Sequence, residues 1–364
     1  MGQNGLPLTT KLGLTLSELT GRPSSSGRLE SLDALRGIAA LAVVVYHFGY
    51  RVAEIYPEVG EPVEALIGGQ FGVHLFFVIS GLVIFLSLQR ATPRTFLISR
   101  FIRLYPTYWV CAAVTFAAVA FIGLPGREVT ATEGAVNLTM LQGYLGVPHI
   151  DGAYWTLTAE LGFYAQVALL FFSTRLLRGT LFTVTLYAWI ALATVASQIP
   201  KYLPDGAVRE IASQAALGFV WIPLFVAGMA IYGLWSGGRN IPLIGVPLAA
   251  TAVMALRDPM LGVAVFVCGL LVVVALWGPP LRRLGKPFFF LGGISYPLYL
   301  IHQNLGFIVI RWLTGLGMSH LLAACVALIA VIAIAAVLTY LVDRPMRRAL
   351  RLRLLPQREM VRPR

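Results

Sequence analysis

The stretch LRGIAALAVVVYHF, Leu35 to Phe48, is an apolar run that carries an arginine near its start and a histidine near its end. Hydrocarbon excludes both side chains unless a helix bundle shelters them. Eleven residues turn an α-helix through about 1100°, within about 20° of three full turns, so Arg36 and His47 share one face. They stand about 16 Å apart along the axis. Asp33, one turn before Arg36, is placed to pair with it.

The rest of the chain repeats this texture. Its 364 residues are 58% hydrophobic and 12% charged, whereas a soluble domain carries about a quarter charged residues. Apolar runs near membrane-spanning length recur over 33–51, 70–89, 103–123, 154–174, 180–198, 214–235, 241–256, 259–277, 288–310 and 319–342. They predict an all-α polytopic membrane protein of about ten transmembrane helices. A ten-helix membrane domain over 31–343 is expected between an N-terminal tail, 1–30, and a basic C-terminal tail, 344–364. Residues 12–19 are too short and polar for a cleavable signal.

Charge sets the expected orientation. With the N-terminus in the cytoplasm, 22 of the 28 Lys and Arg fall on the cytoplasmic side, leaving Arg51, Arg127, Lys201, Arg209, Arg257 and Arg311 outside. An even span count puts both termini in the cytoplasm. The net charge of +12 is then mostly a topology signal. The segment Arg344 to Arg353 suits contact with anionic membrane lipids. Nothing else favours a nucleic-acid partner. The three cysteines lie in separate apolar helices as small hydrophobes, and no two histidines fall at i, i+4, so no metal site is expected.

Three further clusters carry chemistry. SRFIRLYP, Ser99 to Pro106, sets Arg100 and Arg103 at i, i+3 with Arg90 and Arg94 before them. They read either as inner-boundary anchors or as a fork for phosphates, which arginine grips bidentately. DGAYWTLTAELGFY, Asp151 to Tyr164, puts Trp155 at the outer interface and Glu160 about 8 Å deeper. ISYPLYLIHQN, Ile294 to Asn304, brings His302 to the outer half of a late helix that Pro297 should loosen. His74 falls at similar depth. Depth alone therefore places His47, His74, Glu160 and His302 in one layer, with arginines beneath. That pattern fits an intramembrane enzyme or a proton-coupled transporter. The transporter reading, extended to a flippase for a lipid-linked glycan, lacks the inverted repeat such folds show.

In combination these motifs resemble the acyltransferase 3 family of membrane acyltransferases, from Leu32 to Pro345. LDALRG with His47 gives that family's arginine–ten residues–histidine signature, and FFVISGLVIF (Phe76–Phe85) is similar to its second helix. RFIRLYP, WTLTAELGFY and ISYPLYLIH match its Arg-x-x-Arg, Trp-x-Leu-x-x-Glu and Ser-Tyr…His elements. Asp343 departs from the pattern, which often has Glu before a basic residue and proline. The narrower resemblance is to the stand-alone, xanthan-type O-acetyltransferases of exopolysaccharide assembly. It implies a multi-pass protein of the bacterial inner membrane that moves an acetyl group from cytoplasmic acetyl-CoA to a hydroxyl of a lipid-linked oligosaccharide or surface polysaccharide. Acyl-CoA would be a co-substrate, with no permanently bound cofactor. The resemblance makes His47, Arg36 and Glu160 the catalytic candidates, and Arg100, Arg103 and Arg36 the CoA-binding ones. His47 would act as general base, and an adjacent Glu160 would orient its ring. Trp155, His74, Tyr296, His302 and Asn304 complete the expected substrate site, with Tyr296 and Asn304 as candidate oxyanion donors.

Overall fold

The structure, a computed structural model, describes residues 26–89, 91–172, 179–237, 240–278 and 286–355. Arg90 and the outer parts of both expected tails lie outside them. All regular structure among the described residues is helical. The long helices are α1 (Ser26–Tyr46), α2 (Gly72–Leu88), α3 (Pro93–Ile122), α4 (Trp155–Phe172), α5 (Gly179–Gln198), α6 (Ala207–Val220), α7 (Ile222–Gly237), α8 (Ile241–Arg257), α9 (Pro259–Trp277), α10 (Lys286–Gly315), α11 (His320–Leu338) and α12 (Arg344–Leu354). With α6 and α7 counted as one span, the first eleven correspond to the ten apolar runs.

Seven of these spans are long and apolar enough to cross a membrane. The remaining three are α4, α8 and α10. Helix α8 is short at 17 residues. Helices α4 and α10 carry the polar residues of the bundle interior, Glu160 on one and Ser295, His302, Gln303 and Asn304 on the other.

Helix starts follow local chemistry. Thr92 and Thr95 form a capping box ahead of Pro93, and Asp258 caps the Met260 amide ahead of Pro259. Each satisfies a backbone donor that the first helical turn leaves open. The run 214–235 is broken at Trp221. Pro223 explains the break, since it has no N–H to continue the ladder back to Phe219.

Helices α1 and α10 pack with their backbones in near contact. A Cβ on Gly37 of α1 would overlap the Phe288 carbonyl of α10, and one on Gly292 of α10 would overlap the Asp33 carbonyl of α1. In lipid, where apolar burial gives no driving force, small residues allow the close approach that holds helices together. This seam fixes α1 against α10, and so His47 against His302. Around the circumference large apolar side chains face outward, Phe121 being 90% and Leu256 88% exposed. Such a belt suits hydrocarbon and would aggregate in water.

Candidate active site

Helix α1 does not run straight past its histidine. It widens into a π turn over His47–Arg51 before a last α turn, Val52–Ile55. Single π turns inside α-helices recur at functional sites. Here the turn presents His47 and Arg51 to the same cavity.

The His47 ring is held on one side. Its Nδ1 lies 2.8 Å from the Val43 carbonyl, and a carbonyl only accepts, so Nδ1 carries the hydrogen. His302 Nδ1 lies 2.8 Å from the Tyr299 carbonyl, which assigns it the same tautomer. His302 Nε2 is then a lone pair, 3.3 Å from His47 Nδ1, and shares its hydrogen with Val43. The rings meet edge to face with centroids 4.8 Å apart. His47 Nε2 remains as the unprotonated nitrogen. His302 itself is fully buried, behind His47 in relation to the cavity.

That cavity measures about 380 Å³, within the usual range for small-ligand sites. Aromatic walls come from Tyr46, Trp155 and Trp221, and polar groups from His47, His74, Gln70 and Gln303, with Arg51 and Arg127 also at its lining. Gln303 Oε1 is buried with no hydrogen-bond partner.

A latch between loop and helix sets Trp155 in place. Asp151 accepts from the Ala153 amide at 2.9 Å and the Asn304 amide at 3.0 Å, while Asn304 Nδ2 donates to the Ile150 carbonyl at 2.8 Å. Tyr299 donates to the Ala153 carbonyl. Burial raises the Asp151 carboxyl to about 6, against the lowering effect of these amides.

The arginines gather at the other end of α1. Arg36 lies 3.7 Å from Asp33 and within Coulombic range of Arg103 and Glu160. Arg100 Nη2 donates to Ser87 Oγ at 3.3 Å, and its guanidinium sits over the Phe96 and Tyr164 rings. Arg103 lies over Tyr296, 5.1 Å from the ring centroid. Arg94 is exposed at the start of α3. Glu160 accepts from Ser80 Oγ at 2.6 Å and from the Tyr164 hydroxyl.

Four expectations change with this geometry, that for His302 among them, since it lies behind His47 and off the cavity lining. Glu160 belongs to the arginine cluster and does not touch His47; the ring's partners are Val43 and His302. Tyr296 donates to the Leu104 carbonyl at 2.8 Å beneath Arg103, far from an oxyanion donor's place. Asn304 is committed to the loop latch. By contrast His74 and Trp155 do line the cavity with His47. Gln303, Gln70, Trp221, Arg51 and Arg127 were not read from the sequence as site residues. Gln303 adjoins His302 in the quoted motif, and the two arginines were visible there only as exterior charges.

Fold and site together define a multi-pass membrane protein with a histidine-based centre over an arginine cluster. The chain belongs to the acyltransferase 3 family: residues 29–340 match that family's acyltransferase domain. It is 29% identical over 172 residues to nodulation protein 10 of Rhizobium leguminosarum bv. viciae, covering 40% of this chain and 45% of that one. It is 32% identical over 184 residues to the exopolysaccharide production protein ExoZ of Rhizobium meliloti, covering 48% and 54%. The chain thus spans about half the length of these curated relatives. No solved structure matches it.

Proposed function

We propose that the protein is a membrane O-acetyltransferase that moves acetyl from cytoplasmic acetyl-CoA to a hydroxyl of an extracytoplasmic or lipid-linked glycan, an exopolysaccharide repeat unit in particular. One observation carries this reading. A single helix bears Arg36 among the arginines at one end and, about 16 Å on, an imidazole whose Nδ1 is held by the Val43 carbonyl and His302 while the ring lines a sugar-sized cavity. Family membership supports acyl transfer, and the name of ExoZ supports a glycan acceptor.

The positive-inside bias assigns the arginine end to the cytoplasm and the cavity to the exterior of the inner membrane. Arg36, Arg100 and Arg103 hold CoA phosphates, and the pantetheine arm reaches up to bring the thioester beside His47. Nε2 of neutral His47 takes the proton of the acceptor hydroxyl as its oxygen attacks the thioester carbonyl carbon. The carbon–sulfur bond breaks, and the imidazolium returns the proton to the CoA sulfur. Products are the acetyl ester and free CoA. His302, neutral and accepting from Nδ1–H, holds the ring in this orientation as it charges. Glu160 offsets the charge of the arginines while the donor is absent.

The test is transfer of radiolabelled acetyl from acetyl-CoA, added on one side of proteoliposomes, to lipid-linked glycan extracted from the source bacterium. Labelled glycan bearing base-labile acetyl is expected. Glycan movement across the bilayer without label would instead establish the flippase reading.

A further inference from the structure

Arg51 and Arg127 come from different parts of the chain, the π turn after His47 and the segment following α3, yet both line the His47 cavity. No carboxylate lines that cavity with them. Arg51 is ion-paired to Glu54, with both side chains about half exposed. Arg127 contacts the Tyr56 hydroxyl; among the described residues no carboxylate forms an ion pair with it, and the buried Asp151 lies within Coulombic range. Glu128 faces the adjoining part of the groove, beside His149.

Arg51 shares its charge with the half-exposed Glu54, and Arg127 lies in the field of Asp151, a carboxylate already committed to two backbone amides, so both guanidiniums keep donors for an anion on the substrate. The remaining lining suits a glycan, with Tyr46, Trp155 and Trp221 for the C–H faces of sugar rings and Gln303 and Gln70 for hydroxyls. Guanidinium groups favour carboxylates and phosphates, which they grip bidentately.

We infer that the acceptor is anionic: a carboxylate or phosphate on the glycan is held by Arg127 with Arg51, next to the hydroxyl that His47 deprotonates. This rests on the acyltransferase reading above and adds the charge class of its acceptor.

The test uses the full chain in proteoliposomes with radiolabelled acetyl-CoA and the lipid-linked glycan pool of the source bacterium. Acetyl transfer by the wild-type protein must first be seen; its absence overturns the acyltransferase reading itself. Arg127→Gln and Arg51→Gln should then each raise the acceptor KM about tenfold or more. Donor KM should stay unchanged, which also reports an intact fold. Arg127→Lys should recover part of the loss. Pools with carboxyls reduced to alcohols, and pools cleaved at the sugar–phosphate bond, identify the source of the charge. Whichever treatment removes the recognised anion should lower wild-type transfer to the level of the Arg127→Gln variant. An unchanged acceptor KM in both arginine variants overturns the inference, as does equal transfer to untreated and to both treated pools.

Discussion

His302 Nε2 lies 3.3 Å from His47 Nδ1, two rings from helices 255 residues apart in sequence, each with its own Nδ1 held at 2.8 Å by a backbone carbonyl. The arrangement serves where other histidine sites use a carboxylate. A neutral ring takes part of the Nδ1 hydrogen bond, fixes the tautomer, and leaves Nε2 to face the cavity. Because His302 is fully buried, it acts through His47 and not on substrate.

His302 is therefore a positioning residue. His302→Phe should lower kcat about 10- to 100-fold, a part of the ~10²–10⁴ a general base supplies, with donor and acceptor KM nearly unchanged. His302→Gln, which restores an acceptor to the Nδ1 hydrogen, should regain much of it. Steady-state kinetics of both variants against wild type checks this. Equal loss in Phe and Gln would reduce His302 to a packing role.

Glu160 is expected to act on the donor side. Its partners are Ser80 and Tyr164, and Arg36 lies in its field. Glu160→Gln should change donor KM, because the arginines lose their internal counter-charge, while the dependence of rate on acceptor stays as in wild type. A variant whose defect lies wholly in acceptor KM would return Glu160 to the cavity.

The arginines themselves should separate binding from chemistry. Arg103→Ala and Arg100→Ala should raise the KM for acetyl-CoA about ten- to a hundredfold, the value of roughly 1.5–3 kcal/mol for a charged hydrogen bond. A smaller change in kcat is the mark of lost uniform binding. Lysine should rescue only in part, since it keeps the charge without the fork. Full rescue by Lys with unchanged donor KM would make these residues topological anchors.

Orientation can be read chemically. On a background with Cys111, Cys268 and Cys325 replaced, single cysteines within 54–64 and 127–150 should react with impermeant reagents from outside. Those within 91–99 and 344–354 should react only after the cells are opened. External labelling of α12 would require an odd number of spans.

Much of this was legible in the chain because membrane helices announce themselves by length and hydropathy, and because rise per residue fixes depth. The ten apolar runs and the arginine end of α1 follow from those two facts. Azimuth does not. Glu160 was placed at the level of His47 from its distance to Trp155, but the bundle turns it toward the arginines. The π turn at His47–Arg51 rephases α1, and no feature of HFGYR marks it. Asn304 reads in the sequence as a candidate oxyanion donor, yet the fold spends it on the loop before α4. The pairing of His47 with His302 depends on the glycine seam between α1 and α10, which sequence spacing within one helix cannot reveal.

The account turns on His47 as the base. His47→Gln keeps a polar side chain of similar reach but has no titratable nitrogen. Acetyl transfer from acetyl-CoA by this variant in proteoliposomes, measured beside its binding of acetyl-CoA, is the most direct test. Turnover should fall about 10²–10⁴-fold while donor binding persists. Wild-type turnover by His47→Gln would contradict the mechanism outright.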